Sequence, residues 1–174
     1  MHTKTSNLAI SALIAAAYAA LTLACAPISF GAVQLRLSEA LCVLPFLFPQ
    51  AIAGLTVGCF LANLAGLPLG LTVPPDLLLG TLGTLLGALG TRAVRRPALA
   101  PLPPVISNTL LVGGTLALFV LPRGSGLAAA LYALLTVGLG ELAACVLGGG
   151  VLLLAFRRSA GLRRLVERYG NPRI

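Results

Sequence analysis

Long apolar runs, separated by short clusters of proline, glycine and charged residues, make up almost the whole chain. A helix that crosses a bilayer needs about 20 consecutive apolar residues. Proline and glycine clusters end such runs because proline removes a backbone donor and glycine weakens a helix. The pattern predicts six transmembrane helices and a basic tail, with approximate bounds 8–26, 36–48, 50–66, 76–92, 104–121, 127–156 and, for the tail, 157–174.

The composition supports this interpretation. Hydrophobic residues are 58% of the chain and charged residues only 9%, whereas soluble domains are about 45–50% apolar and about 25% charged. Leucine, alanine, valine and glycine supply most of the apolar mass, as in packed membrane helices. We therefore expect an all-α integral membrane protein, built as one transmembrane domain over residues 1–174, with almost nothing left for a soluble module.

The basic residues predict the orientation. With six spans, ten of the twelve basic residues fall on one side: one at the N-terminus, three after the fourth helix and six in the tail. Cytoplasmic loops carry such an excess, so we expect both termini in the cytoplasm. The clusters are too short and scattered for nucleic-acid binding. Residues 162–169 match a short amphipathic helix on anionic lipid, although a solvated tail that only sets topology is the favoured interpretation.

Catalytic and metal-binding motifs are absent from the sequence. The one histidine is His2, the four cysteines form no CxxC pair, and no phosphate-binding glycine motif occurs. We therefore predict a non-enzymatic protein with no catalytic residue, no metal site and no cofactor. Any uphill transport would need an ATPase in another subunit.

Two stripes of small residues are candidates for close helix contacts. The fourth helix carries Gly80, Gly83, Gly87 and Gly90 at spacings of three or four, which predicts a groove for a neighbouring helix. The first helix carries a similar alanine stripe, for which internal packing is the default interpretation and docking of another protein the alternative. That stripe comprises Ala9, Ala12, Ala16 and Ala20.

Polar residues in the apolar segments are the candidates for ligand binding, because ionisable groups in a bilayer cost about 2.5–3.5 kcal/mol each on insertion scales. Under the six-span topology they converge from several segments on one outward-facing cavity. The candidate substrate-binding residues are Gln34, Arg36, Glu39, Asn63, Asp76 and Glu141.

Each candidate also has a structural interpretation. Arg36 and Glu39 are three residues apart and could form a local ion pair. Asp76 follows two prolines and could cap a helix N-terminus. Asn108 is better explained by a hydrogen bond between helices. Glu141, flanked by Gly138 and Gly140 in a long apolar helix, has the weakest structural explanation.

Several stretches of the sequence resemble the QueT family. The most specific is Gln-Leu-Arg-Leu-Ser-Glu-Ala-Leu, residues 34–41, followed by Leu-Pro-Phe-Leu-Phe-Pro at 44–49. Further similarities extend the resemblance over nearly the whole chain: Ile28 to Gly31, Gly58-Cys59, Ala62-Asn63, Asp76 with Gly80 to Leu82, Pro103 to Val105 with Asn108, and Gly140 to Leu142.

The resemblance implies a substrate-binding S-component of an energy-coupling factor (ECF) transporter, with six helices in the bacterial cytoplasmic membrane. Its ligand would be a queuosine precursor, a 7-deazaguanine such as 7-aminomethyl-7-deazaguanine. Its partners would be a transmembrane coupling subunit, two ATPase subunits and the lipid bilayer. The resemblance also implies a docking face on the first helix, which Ala12, Ala16 and Ala20 match.

The ligand chemistry agrees with the candidate residues. A 7-deazaguanine presents a ring N–H and an exocyclic amine, which one carboxylate can accept, and a carbonyl that needs a donor. Glu39 would accept the donor edge, Arg36 or Gln34 would donate to the carbonyl, and Glu141 would meet an ammonium. Two alternatives stay open: a structural or assembly membrane protein, and a stand-alone secondary carrier, although no convincing repeat supports the carrier.

Overall fold

A computed structural model of the chain describes residues 4–30, 34–122 and 126–171, and every regular element in these ranges is helical. Eight α-helices are joined by 3-10 and π segments. The α-helices are α1 Lys4–Ala24, α2 Ala26–Ser29, α3 Ala51–Gly66, α4 Pro74–Ala93, α5 Leu102–Thr115, α6 Gly126–Leu142, α7 Gly149–Arg158 and α8 Ala160–Tyr169. The 3-10 helices are Leu37–Phe46 and Pro97–Leu99, and the π segments are Leu116–Val120 and Ala143–Gly148.

Three helical stretches are long and apolar enough to cross a bilayer: Lys4–Ala24, Pro97–Val120 and Gly126–Arg158. They contain most of the predicted first span, all of the fifth except residue 121, and all of the sixth. Leu37–Phe46 and Ala51–Gly66 are apolar but shorter. The protein is therefore an all-helical membrane protein, while six spans and two cytoplasmic termini stay predictions.

The second predicted helix differs in type from the expectation. It is a 3-10 helix of ten residues with Pro45 inside it, whereas such helices seldom exceed three or four residues. Its rise of about 2.0 Å per residue makes it about 20 Å long, against about 15 Å for an α-helix of the same length. With three residues per turn, residues i and i+3 lie directly above one another.

Glycines set the helix contacts, as the sequence predicted for α4. A Cβ atom on Gly87 would lie 2.6 Å from the Pro104 Cα atom of α5. On α3, a Cβ atom on Gly58 would lie 2.8 Å from the backbone oxygen of Ala15 in α1. Both pairs of helices therefore approach as closely as small residues allow, which confirms the packing role of the α4 groove. Gly80 differs, because it faces the side chains of Asp76 and Asn63.

The alanine stripe of α1 lies on the outside of the bundle. All four of its alanines are exposed, and α1 instead buries Ile14, Ala15, Tyr18 and Thr22. The default interpretation, internal packing, is therefore wrong. The sequence could not separate the two faces, because alanines occupy positions on both of them.

The basic tail is also more ordered than expected. Helix α7 continues to Arg158, and Ser159 then caps α8 by accepting a hydrogen bond from the Leu162 N–H group. Val166 of α8 is buried against the bundle. Residues 160–169 thus form a helix with one side against the bundle and most other residues exposed, and its contact with anionic lipid stays a prediction.

Candidate functional site

Arg36 lies at the centre of a buried polar network. Arg36 precedes the 3-10 helix and has extended backbone angles, φ −88° and ψ 105°. Its side chain is therefore not stacked above that of Glu39, although the two residues are three apart. The Nη2 atom lies 3.3 Å from Asp76 Oδ2 and 3.3 Å from Asn63 Oδ1. The guanidinium also lies over the Phe30 ring, 5.0 Å from its centroid. Arg36 is only 3% exposed, so these contacts replace its hydration.

Two structural interpretations of the sequence are wrong: a local ion pair between Arg36 and Glu39, and capping of a helix N-terminus by Asp76. The charge partner of Arg36 is Asp76 of α4, forty residues away in sequence, rather than Glu39. Asp76 is the third residue of α4, whose N-cap is Val73, and no side chain caps the helix. Asp76 does lie in the first turn, where the helix dipole favours a carboxylate, but its side chain is directed to Arg36.

Glu39 belongs to a second, deeper cluster. One carboxylate oxygen accepts a hydrogen bond from the Tyr18 hydroxyl, and the other accepts one from Cys42 Sγ at 2.8 Å. The Cys42 contact follows from the 3-10 geometry, which stacks residues three apart. One carboxylate oxygen of Glu39, one of Glu141 and the Sγ atom of Cys145 all lie within 4.8 Å of one another, and all three residues are buried.

Two asparagines connect these clusters to the helices around them. Asn63 Nδ2 donates to the Asp76 backbone oxygen at 3.2 Å and approaches Cys59 Sγ at 3.6 Å. Asn108 lies beside the Glu141 carboxylate and against Gly83 of α4. The predicted role of Asn108 at a helix contact therefore agrees with its position, but its neighbour is a candidate site residue rather than packing alone.

A cavity of about 340 Å³ opens beside this network. Gln34 and Asp76 are in its wall, together with Phe30, the loop 70–73 and the end of α5 from Thr115. The other four candidates, Arg36, Glu39, Asn63 and Glu141, lie behind that wall. Residues from five segments are thus brought together as predicted, but only two of the six line the cavity.

Several polar atoms in or directly behind the wall of this cavity have no hydrogen-bond partner among the described residues. They are Gln34 Oε1, Asp76 Oδ1 and Arg36 Nε, all in buried side chains. A buried polar atom without a partner costs about 1–3 kcal/mol, so such atoms are uncommon in folded proteins. The two acceptors belong to residues of the cavity wall and the donor to Arg36, which is paired with Asp76 behind that wall; together they are what a small polar ligand needs.

The balance of charge in the network favours a cation. Glu39, Asp76 and Glu141 are buried acids, and Arg36 is the one buried base among the described residues. A buried charge without a partner is costly, and Arg36 is already paired with Asp76. The cluster around Glu39 and Glu141 is therefore the part of the network that a positive group would stabilise.

Four members of the site were missed by sequence reasoning: Phe30, Tyr18, Cys42 and Cys145. Nothing in the sequence marks Phe30 or the two cysteines as site residues, because each also fits an apolar core. Tyr18 carried a weak signal, since it is the only tyrosine in the first apolar run and a buried hydroxyl needs a partner.

Comparison with protein-family models gives a match over residues 8–158 to the model described as QueT transporter. The match covers most of the chain. Comparisons with curated proteins and with solved structures give no match.

Proposed function

Because the chain belongs to the QueT transporter family, we propose that it is the substrate-binding S-component of an ECF importer for a queuosine precursor. The substrate is a 7-deazaguanine, and we assign 7-aminomethyl-7-deazaguanine as the preferred one. The protein resides in the bacterial cytoplasmic membrane with six spans and both termini in the cytoplasm. It is not an enzyme, and the ATPase activity belongs to partner subunits.

The observation that carries this proposal is the set of partnerless polar atoms on Gln34 and Asp76, in the wall of the 340 Å³ cavity, and on Arg36 beside Asp76. Asp76 Oδ1 and Gln34 Oε1 are acceptors, which suit the ring N–H and exocyclic amine of a 7-deazaguanine. Arg36 Nε is a donor, which suits the carbonyl. A site built to hydrogen-bond such groups rejects analogues that lack them, because its own polar atoms would stay unpaired.

These contacts favour Asp76 over Glu39 for the donor edge of the base. Both carboxylate oxygens of Glu39 already accept hydrogen bonds from Tyr18 and Cys42. Asp76 keeps one oxygen without a partner, and its other oxygen is neutralised by Arg36. In this proposal Glu39 and Asn63 hold the network in place, and Glu141 attracts the ammonium of the aminomethyl group.

The test of the function is uptake by the purified protein in proteoliposomes. Without partner subunits we expect ligand binding but no accumulation against a gradient, and with the coupling subunit and ATP-hydrolysing subunits we expect ATP-dependent uptake. Mass spectrometry of small molecules that copurify with the protein should identify a 7-deazaguanine. Accumulation driven by an ion gradient alone would show a secondary carrier, and no ligand binding at all would favour a structural or assembly protein.

We further propose that the exposed alanine stripe of α1 is the face that docks on the coupling subunit. Ala12, Ala16 and Ala20 are all exposed on the outside of the bundle, and small residues allow another helix to approach closely. This position supports docking because internal packing makes no use of the stripe.

The variant Ala16→Leu tests this face. The added bulk should prevent close approach of the partner helix, so uptake in the assembled transporter should fall strongly while ligand binding to the isolated protein is unchanged. The matched control is Ala15→Leu on the buried side of α1, which should lower stability and binding together. Equal loss of binding and uptake in Ala16→Leu would contradict the docking role.

A further inference from the structure

An apolar groove separate from the cavity lies at the end of the bundle that carries the basic residues. It has a volume of about 230 Å³ and runs between α1, the end of the first 3-10 helix, α7 and α8. Leu13 of α1 and Leu165 of α8 contribute to its walls and are 72% and 45% exposed. Its walls are apolar throughout, so the groove fits a hydrocarbon chain.

Helix α8 is fixed along this groove rather than loosely attached. The Asn171 N–H group donates to the Leu47 backbone oxygen at 2.7 Å, and Gln50 Nε2 donates to the Tyr169 backbone oxygen at 3.0 Å. Val166 is buried between these anchors and the bundle. The groove is therefore a defined feature of the fold, with α8 as one wall.

The charges of α8 are distributed unequally on its two exposed sides. On one side Arg163 and Glu167 form an ion pair at 4.0 Å. On the other, Arg168 shares a helix face with Leu165 three residues before it, and Arg164 lies one turn before Arg168, because residues three or four apart share a helix face. They have no acidic partner among the described residues. The Arg168 guanidinium also lies 5.3 Å from the centroid of the Tyr169 ring, which lines the groove.

We propose that this groove binds one acyl chain of an anionic glycerophospholipid, with the lipid phosphate held by Arg164 and Arg168. The apolar walls bury the chain, and two cations without acidic partners stand beside it. An amphipathic helix with arginines on its polar side binds anionic lipid in this manner. The site is independent of the transported substrate, so its test is independent of the proposed function.

Tryptophan fluorescence offers a direct test, because the chain has no tryptophan. The variant Leu165→Trp places a single reporter in the groove. The protein is reconstituted in phosphatidylcholine vesicles that contain a minority of phosphatidylglycerol, and either lipid is supplied with brominated chains that quench the reporter. We expect brominated phosphatidylglycerol to quench more than its share of the lipid, whereas a reporter at Leu139→Trp, exposed on α6, should report the bulk ratio.

The arginines are tested in the Leu165→Trp background. Each basic residue near the membrane surface contributes about 1 kcal/mol to anionic lipid binding, so Arg164→Gln and Arg168→Gln should each lower the preference about fivefold. The matched control is Arg163→Gln on the opposite side of α8, which should leave it unchanged. An equal loss in the control would show general attraction to a basic surface, and quenching at the bulk ratio or by neither lipid would show that no anionic lipid occupies the groove. Each of these results would overturn the proposal.

Discussion

Asp76→Asn is expected to be the most destabilising of the conservative substitutions at the site. It removes the charge partner of Arg36 while leaving that guanidinium 3% exposed, and breaking a buried ion pair in this way costs about 3–5 kcal/mol. Thermal or denaturant unfolding in detergent measures the loss. Binding of the aminomethyl and nitrile 7-deazaguanines should weaken alike, because the donor edge that Asp76 accepts is common to both.

The double variant Arg36→Gln, Asp76→Asn separates the two effects. Without an unpaired buried charge on Arg36, most of the stability should return, whereas ligand binding should stay weak because the carboxylate and the guanidinium are both replaced by neutral amides. The control is Glu167→Gln, which breaks the exposed pair with Arg163 and should change stability by no more than about 1 kcal/mol. If Asp76→Asn destabilised as little as this control, the buried pair would not have the assigned role.

Glu141→Gln is expected to discriminate between ligands. A hydrogen bond to a charged group contributes about 1.5–3 kcal/mol, so loss of this carboxylate should weaken the aminomethyl ligand about ten- to hundredfold. The uncharged nitrile analogue should bind nearly as before. Calorimetry with both ligands measures the difference.

Glu39→Gln is the matched comparison, because Glu39 and Glu141 are neighbours in the same buried cluster. Glu39 holds Tyr18 and Cys42, so its replacement should weaken both ligands to a similar extent. Equal losses for both ligands in Glu141→Gln would show that Glu141 does not meet the ammonium.

The sequence predicted those parts of the fold that depend on local pattern. The apolar runs located the helices within a few residues, and the glycine spacing on α4 located its contact with α5. The alanine stripe on α1 could not be assigned in the same way, because alanine is compatible with a buried or an exposed helix face. The sequence also could not predict that residues 37–46 form a 3-10 helix. The packing around this segment, rather than its local propensity, decides between a 3-10 helix and an α-helix.

The sequence predicted which polar residues belong to the candidate site, but not which of them contact one another. Buried polar residues in apolar segments are rare enough to be selected individually. Their partners depend on the fold: Arg36 and Glu39 are close in sequence, yet Arg36 pairs with α4 and Glu39 contacts α1 and the segment after Glu141. Sequence distance indicates a partner only when the backbone is a regular helix, and the backbone at Arg36 is extended.

The 3-10 helix also limits how this segment can vary in length. With three residues per turn it presents three rows of side chains, each with its own set of contacts. Ser38 contacts Thr22 of α1 at 2.6 Å, Glu39 and Cys42 face the buried cluster, and Ala40 and Val43 pack against Gly148 and Gly149. Insertion or deletion of one residue would rotate every later side chain of the helix by about 120°. The contacts of all three rows would then be lost together. Between Leu37 and Phe46, homologous chains should therefore tolerate substitutions but align without gaps.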